Sequence, residues 1–214
     1  MVEALGVPHT EVDIILVNGH SVDWSYRLHA EDHVSVYPPS HSIDVAQLQH
    51  LSSQPPHPNR FVLDSHLGRL AAYLRMLGFD TLYSRDCGDQ DLARISSSEG
   101  RVLLTRDVGL LKRNLVTHGY WIRATIPRQQ VIEIVRRFDL VGLIMPFQRC
   151  VHCNGPLRAT SKSSVLHRLL PETRQHHEEF NICEVCNRVY WKGSHYRRMC
   201  HFIDAIRAAS EQSN

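Results

Sequence analysis

Apolar and polar positions follow two alternating periods from residue 60 to residue 140. Short continuous apolar runs, typical of buried strands, are each followed by a segment in which apolar residues recur at helical spacing. The strand-like runs lie at 60–64, 79–84, 101–105 and 120–125, and helical segments follow them at 66–78, 89–100, 109–119 and 127–140. Four successive strand–helix units predict an α/β fold, in which a parallel sheet is flanked by helices on both faces. Ligands bind such sheets where strands end and helices begin.

The first 59 residues follow a different pattern. Apolar alternation and turn residues predict short strands at 12–19, 22–28 and 33–38, the first of which enters an Asn-Gly turn. Residues 1–6 are typical of the last turn of a helix closed by glycine. A stretch rich in proline, serine and histidine then predicts a linker. We therefore expect five segments: a small N-terminal sheet (1–40), a linker (41–59), the α/β body (60–145), a cysteine-bearing module (146–204) and a tail (205–214).

Composition places the chain among ordinary globular proteins. Its residues are 43% hydrophobic and 21% charged, and no apolar run approaches the roughly 20 residues of a membrane span. The N-terminus has neither the basic region nor the apolar core of a secretory signal. We expect a cytoplasmic protein without a membrane segment.

Charge is distributed unevenly along the chain. Residues 1–59 contain one Lys or Arg and seven Asp or Glu, whereas residues 60–149 contain fourteen and nine, and residues 150–214 nine and six. A basic body behind an acidic head suits a polyanionic partner such as RNA. A solvated arginine-rich surface explains the same counts, so charge alone leaves both interpretations open.

Several carboxylates follow the predicted strands. Asp64 ends the first strand, Asp86, Asp89 and Asp91 follow the second, and Asp107 follows the third, so the topology places them at one edge of the sheet. Clustered carboxylates repel unless a cation or basic neighbours lie among them, and Mg²⁺ or Mn²⁺ prefers such oxygen ligands. The alternative is that these residues cap helices, which suits Asp89 and Asp107 well. Asp64 closes a buried strand and is the stronger candidate ligand, whereas Asp86 fits an ordinary loop residue.

Two arginines accompany these acids. Arg85 and Arg106 each come directly after a strand. They are candidates for binding substrate phosphates, and ion pairing with the aspartates is the alternative.

Four of the six cysteines form two C-x-x-C pairs, Cys150 with Cys153 and Cys183 with Cys186. Four thiolates at this local spacing are typical of a structural, tetrahedral Zn²⁺ site. The 29 residues between the pairs exceed the usual spacing and predict a zinc ribbon with a long inserted loop. A redox function is less consistent with the pattern, because redox C-x-x-C motifs occur singly at a strand–helix junction.

Aromatic and basic residues alternate after the second pair. Tyr190, Trp191, Lys192 and Arg197 have the composition of a surface that stacks on bases and neutralises phosphates. The alternative is a ribbon strand whose aromatic side chains pack over the zinc site.

With these residues in place, the chain resembles the PIN-like RNase family known from the C-terminal region of the Mut-seven exonuclease. Residues 60–200 carry the likeness. The matching stretches are FVLDSHLGRLAAYLRMLGFD, DQDL, VLLTRD and, around the cysteine pairs, CNRVYWKGSHYRRM. The resemblance implies a PIN-like fold, a catalytic Mg²⁺ or Mn²⁺ at Asp64, Asp107 and an acid of DQDL (Asp91, or Asp89), single-stranded RNA as substrate, and a zinc ribbon.

The acidic head resembles the ubiquitin-like (β-grasp) module that precedes this domain, with its best match in VNGHSVDWSYRLHAEDHVSVYPP. It lacks the opening hairpin of that fold. An incomplete β-grasp leaves a sheet edge exposed, so we expect either further chain before residue 1 or a protein partner that covers the segment.

Three functions remain open. The first is a metal-dependent endoribonuclease that uses Asp64, Asp107 and Asp89 or Asp91. The second is an RNA- or ribosome-binding adaptor that keeps the fold without cutting. The third is an interaction module whose acidic head binds a protein and whose body is only nuclease-like. PIN nucleases often have a further acid after the third, whereas residues 119–127 contain no carboxylate. This departure favours one metal ion over two.

Overall fold

The N-terminal module is a small antiparallel sheet. The computed structural model describes residues 1–39, 51 and 58–211, so most of the predicted linker lies outside it. The strands are β1 (Ile14–Val17), β2 (His20–Val22) and β3 (Val34–Tyr37), in the order β2-β1-β3. Asn18 and Gly19 have positive φ angles of 51° and 83°, which confirms the predicted Asn-Gly turn.

Two other predictions for this module have different outcomes. Residues Val2–Leu5 form one 3-10 turn that ends at Gly6 with a φ of 98°, which confirms the predicted glycine-closed turn. The strand predicted at 22–28 is wrong, because β2 ends at Val22. The Asp23 carboxylate accepts a hydrogen bond from the Ser25 N–H at 2.8 Å, and this side-chain turn replaces the strand ladder.

The body is a four-stranded parallel sheet with the predicted strand–helix alternation. Its elements are β4 (Arg60–Leu63), α1 (Gly68–Met76), β5 (Asp80–Tyr83), α2 (Asp89–Glu99), β6 (Val102–Thr105), α3 (Val108–Leu111), β7 (Gly119–Trp121) and α4 (Pro127–Arg137). The strand order is β5-β4-β6-β7. The helix expected over 109–119 ends at Leu111, because Val116 turns into the core while Leu115 stays exposed.

Helices cover both faces of this sheet, as predicted. Alternate residues of a strand point to opposite faces. Phe61 and Leu63 accordingly pack with α1 and α4, whereas Val62 packs with Leu92 of α2 and Leu110 of α3. Both faces of the sheet are therefore buried, and its functional groups lie at the strand ends.

The C-terminal region forms a second antiparallel sheet and a long helix. Its elements are β8 (Leu157–Thr160), α5 (Lys162–Val165), α6 (Pro171–His176), β9 (Phe180–Cys183), β10 (Val189–Trp191) and α7 (Ser194–Glu211). The strands pair in the order β10-β9-β8, and α5 and α6 lie in the long segment between the cysteine pairs. Ile203 and Ile206 of α7 join the core of the body. The expected boundary between ribbon and tail at residue 205 therefore lies inside a helix, because these two apolar residues lie on one buried face.

Side chains bind the backbone of one residue on each edge strand. On β5, the Thr81 N–H donates to Asn154 Oδ1 at 2.9 Å and the Thr81 carbonyl accepts from Arg75 Nε at 2.9 Å. On β7, the Trp121 N–H donates to Glu11 at 2.7 Å and the Trp121 carbonyl accepts from Arg123 at 2.9 Å. The ribbon thus covers one edge at Thr81 and the N-terminal module covers the other at Trp121, which hinders pairing of either edge with another chain.

Asp80 holds the ribbon to the body. Its carboxylate accepts hydrogen bonds from Arg101 at 2.9 Å and from the side-chain amide of Asn154 at 2.8 Å, and lies 3.5 Å from Arg149. Burial acts to raise the pKa of Asp80, but these hydrogen bonds and charges hold it below its ordinary value. The folded state therefore favours the ionised carboxylate.

We predict that Asp80→Asn lowers the free energy of unfolding by about 2 kcal/mol at pH 7, because a charge-assisted hydrogen-bond network loses its anion. The stabilisation from a carboxylate with a lowered pKa is complete above its unfolded pKa of about 3.9 and disappears as the pH falls through the folded value. The difference between wild type and variant should therefore shrink below about pH 4. Denaturant unfolding at several pH values measures this, with Asp86→Asn in an exposed loop as the control; equal losses in both variants would contradict it.

Candidate functional site

Asp64 and Asp107 meet at Thr105 on the carboxyl edge of the parallel sheet. The buried Thr105 hydroxyl donates to Asp64 Oδ2 at 2.9 Å and accepts the Asp107 N–H at 2.9 Å. The Asp64 N–H donates to the Leu104 carbonyl at 3.1 Å, which continues the sheet ladder one residue past β4. The two aspartates are thus positioned through a single side chain. We call Asp64, Thr105 and Asp107 the rim.

The two aspartates differ in how their carboxylates are engaged. Asp107 caps α3, since its Oδ1 accepts the Gly109 N–H at 2.7 Å. Asp64 makes no such cap, and its Oδ1 accepts the Ser65 hydroxyl at 3.1 Å. Capping uses one oxygen of Asp107 and leaves the other for a ligand.

Asp89 and Asp91 lie in the first turn of α2 and pair with arginines. Asp91 is 3.1 Å from Arg94 and Asp89 is 3.5 Å from Arg113, and both acids are exposed. The cap of α2 is Gly88 rather than either aspartate. Across the described ranges, the four paired cysteines are the one group of three or more Cys, His, Asp or Glu residues close enough to share a metal ion. The structure therefore does not bring Asp89 or Asp91 together with Asp64 and Asp107.

Arg85 and Arg106 flank the rim. Arg85 follows β5 and Arg106 follows β6, so both lie at the carboxyl edge, and both are exposed. Within the part of the chain that the structure describes, neither guanidinium group has a hydrogen-bond or ion-pair partner. The structure therefore does not show the alternative, in which these arginines form ion pairs with the aspartates. Both guanidinium groups are available to bind an anion.

The four predicted zinc ligands converge. Their sulfur atoms all lie within 4.8 Å of one another, with Cys150 to Cys186 at 3.6 Å and Cys153 to Cys183 at 3.4 Å. In a tetrahedral zinc site with Zn–S bonds of about 2.3 Å, the sulfur atoms lie about 3.8 Å apart. The site therefore fits a zinc ion in both ligand chemistry and size.

The two knuckles have the same backbone geometry. The N–H of Cys153 points at the sulfur of Cys150, and that of Cys186 at the sulfur of Cys183, each at 3.5 Å. The next residue in each, Asn154 or Asn187, has a positive φ angle, of 72° and 59° respectively. Asparagine tolerates this conformation better than other residues with side chains. Such N–H contacts stabilise thiolates, which are the form that binds metal.

The residues predicted to bind substrate near the ribbon occupy different surroundings. The Tyr190 hydroxyl lies 3.0 Å from the sulfur of Cys150. Burial, followed by this contact, raises the pKa of Tyr190. Trp191 is exposed, Lys192 pairs with Glu179 at 2.5 Å, and Arg197 is exposed on α7. Tyr190 therefore packs over the cysteine cluster, as the alternative interpretation had it, while the other three present side chains at the surface.

Arg75 is a functional contact that the sequence analysis missed. Its guanidinium group is buried and donates to the carbonyls of Val151 and His152, at 3.3 Å and 2.8 Å, inside the first knuckle. It therefore holds the knuckle against β5 and places a positive charge near the thiolates. The sequence did indicate this contact, because Arg75 lies on the apolar face of α1, one position after Leu74, where a charged residue is unusual. The Thr105 contacts gave no such signal.

The comparisons with known proteins agree with this geometry. Residues 59–203 match the model of the family described as the Mut7-C RNAse domain, and residues 1–44 match the family described as Mut7-C ubiquitin. Both matches confirm the resemblance found in the sequence. No curated protein and no solved structure matched the chain. Within the described residues, no helix is long and apolar enough to span a membrane.

We predict that the purified protein contains about one zinc ion per chain and that Cys183→Ser removes it, because a three-thiolate site holds zinc much more weakly than a four-thiolate site. The variant should also melt at a lower temperature, since the ribbon covers the β5 edge. Elemental analysis and thermal unfolding measure both effects. The control is Cys87→Ser, which changes a cysteine outside the cluster and should keep its zinc; zinc retained in full by Cys183→Ser would contradict the assignment.

Proposed function

Because this chain belongs to the Mut7-C RNAse domain family, we propose that it is an endoribonuclease that hydrolyses single-stranded RNA with Mg²⁺ or Mn²⁺ at the rim. The observation that supports this proposal best is the pairing of Asp64 and Asp107 through Thr105. Arg85 and Arg106, which have no hydrogen-bond or ion-pair partner among the described residues, lie at the same edge of the sheet as these carboxylates. In this arrangement, the carboxylates would bind a divalent metal ion and the arginines would bind the RNA phosphate that accompanies it.

The residues present fit a hard divalent ion. Mg²⁺ is usually bound by one or two carboxylates together with water molecules and substrate phosphates, so it does not require a preassembled cage of three acids. Asp64 and Asp107 would hold the ion. Asp91, or Asp89 in its place, would join them only after exchanging its arginine, and exposed pairs of this kind are weak. When bound, the ion polarises the phosphodiester and activates the attacking water.

The chain's own residues would place the RNA. Arg85 and Arg106 would bind phosphate oxygens on either side of the scissile bond, because guanidinium groups match phosphate geometry. Trp191, Lys192 and Arg197 would hold the strand farther along, the indole by stacking on a base and the cations by binding phosphate. Lys192 would exchange Glu179 for phosphate, since both partners of that surface pair are exposed. Tyr190 would support the ribbon by packing at the metal centre.

A second candidate function is a non-catalytic RNA- or ribosome-binding adaptor. It is favoured by the arginine pairing of Asp89 and Asp91, which keeps the third acid of the expected metal site away from the rim. The same basic surface would then bind RNA without cutting it.

The proposed function also includes a reducing cytoplasmic environment. None of the six cysteines forms a disulfide, and the four zinc thiolates need reducing conditions to stay available to metal. The acidic N-terminal module would bind a protein partner there through its exposed apolar side chains, such as Trp24 and Leu28.

The test is cleavage of labelled single-stranded RNA in the presence of Mn²⁺ by wild type, Asp64→Asn and Asp107→Asn. We expect each substitution to reduce cleavage at least 100-fold, which corresponds to about 2.7 kcal/mol of transition-state stabilisation. Asp86→Asn, which changes an exposed loop acid, should cleave like wild type. A circular RNA substrate identifies endonucleolytic cutting, since it has no ends. Equal cleavage by all four proteins would exclude the rim as the active site, and RNA binding without any cleavage would favour the adaptor.

We further predict that Thr105→Val lowers cleavage by about 10- to 100-fold, the range typical of residues that orient metal ligands. Valine keeps the volume but loses the hydroxyl that joins Asp64 to the Asp107 backbone. Because Thr105 positions the ligands and does not touch the RNA, the Mn²⁺ concentration for half-maximal rate should rise while the KM for RNA changes little. Thr105→Ser restores the hydroxyl and should recover most of the activity. An unchanged Mn²⁺ dependence in Thr105→Val would overturn this role.

A further inference from the structure

Arg123 lies at the same edge of the sheet as the rim. It follows β7 by two residues, and β7 pairs with β6 so that Trp121 is opposite Thr105. The Ile122 N–H donates to the Thr105 carbonyl at 2.9 Å. Neighbouring strands are about 4.8 Å apart, so the chain that carries Arg123 runs beside the chain that carries Asp107.

A carboxylate from the N-terminal module occupies the hydrogen-bond donors at this position. Glu11 Oε1 accepts the Trp121 N–H at 2.7 Å and lies 3.4 Å from Arg123 Nη1, while Glu11 Oε2 accepts from Arg123 Nη2. Glu11 is only 8% exposed, whereas the Arg123 side chain is 49% exposed. One backbone N–H and one guanidinium group therefore converge on a single buried anion.

These donors have the chemistry of a phosphate site. A guanidinium group binds carboxylate and phosphate oxygens with the same two-pronged geometry, and backbone N–H groups are common phosphate ligands. The guanidinium also lies over the exposed Trp121 ring, 5.0 Å from its centroid, which keeps it at the end of β7. The donors are therefore already positioned to bind an anion.

Charge explains why Glu11 takes this position in the absence of RNA. The N-terminal module carries six acidic residues and a single arginine in residues 1–39, and it lies on a body with an excess of basic residues. Two contacts of the module to the body do not involve Glu11: His9 Nε2 donates to the Val116 carbonyl at 2.7 Å, and Lys112 donates to the Glu3 carbonyl at 2.5 Å. The module can therefore stay attached when Glu11 moves.

We propose that Arg123 and the Trp121 N–H form a binding subsite for one phosphate of the RNA strand, and that Glu11 occupies this subsite until RNA displaces it. This proposal depends on the proposed function, because the ligand of the subsite is RNA. It extends the RNA path from the rim along the end of β7 toward the N-terminal module. The module thereby competes with one phosphate of the substrate.

The test measures binding of fluorescently labelled single-stranded RNA without added Mg²⁺ or Mn²⁺, by anisotropy at several salt concentrations. Glu11→Gln keeps an oxygen for the Trp121 N–H but removes the charge that neutralises Arg123. We expect it to bind RNA about fivefold more tightly than wild type at 0.1 M salt, with a slope of log K against log salt that is steeper by about 0.7, the value for one additional phosphate contact to a single strand. The matched control is Glu31→Gln, which makes the same change in net charge at an exposed residue of the module.

A second pair of variants shows whether Arg123 is responsible. In an Arg123→Gln background, Glu11→Gln should give no more tightening than Glu31→Gln does. The subsite is overturned if Glu11→Gln and Glu31→Gln bind alike, or if the tightening persists without Arg123. Thermal unfolding of each variant shows whether it folds. If wild type and Glu11→Gln both fail to bind RNA, the proposed function fails together with the subsite, whereas RNA binding without a Glu11 effect removes the subsite alone.

Discussion

The backbone at the two edges of a parallel sheet needs hydrogen-bond partners, and this protein supplies them with side chains from outside the sheet. Thr81 on β5 and Trp121 on β7 are bound in the same way. A side-chain oxygen accepts a hydrogen bond from the N–H of each residue, and an arginine donates one to its carbonyl. On β5 the oxygen belongs to Asn154, in the first zinc knuckle. On β7 it belongs to Glu11, in the N-terminal module. The ribbon and the module are therefore edge covers of the sheet as well as units of their own.

This arrangement links the cysteine cluster to the edge of the sheet that carries the rim. Asn154 adopts its positive φ angle directly after Cys153, so its hold on Thr81 depends on the shape that the thiolates give to the knuckle. Arg75 adds to that hold from the side of the body. Because β5 pairs with β4 and Asp64 directly follows β4, a loosened ribbon would disturb the rim through β5. A metal ion bound by the four cysteines would thus contribute to the order of the rim.

The parts of the structure that could be predicted from sequence are those determined by local pattern or by ligand chemistry. Buried runs such as 60–64 and 101–105 predicted the strands, and two C-x-x-C pairs predicted the cysteine cluster. Asp64 was identified because an acid at the end of a buried strand is unusual.

Contacts between distant segments gave no periodic signal: Glu11 and Arg123 are 112 residues apart, and Arg75 reaches a knuckle 76 residues away. The pairing of Asp91 with Arg94 is local, but a sequence does not show whether an acid pairs with its neighbour or with a metal. The strand expected at 22–28 failed because one aspartate side chain competed with the ladder.

Residues 119–127 contain no carboxylate of their own, but one from the N-terminal module lies against them in space. Glu11 brings a carboxylate to the end of β7, the strand beside Thr105 and Asp107. It does not join them as a metal ligand, because Arg123 and the Trp121 N–H already bind its oxygens, and a buried carboxylate gives up such charge-assisted hydrogen bonds only when another anion takes its place at the guanidinium group. An RNA phosphate is such an anion. In the proposed function, arrival of RNA would both fill the site at Arg123 and free Glu11, and the edge that carries Asp64 and Asp107 would then gain a third carboxylate.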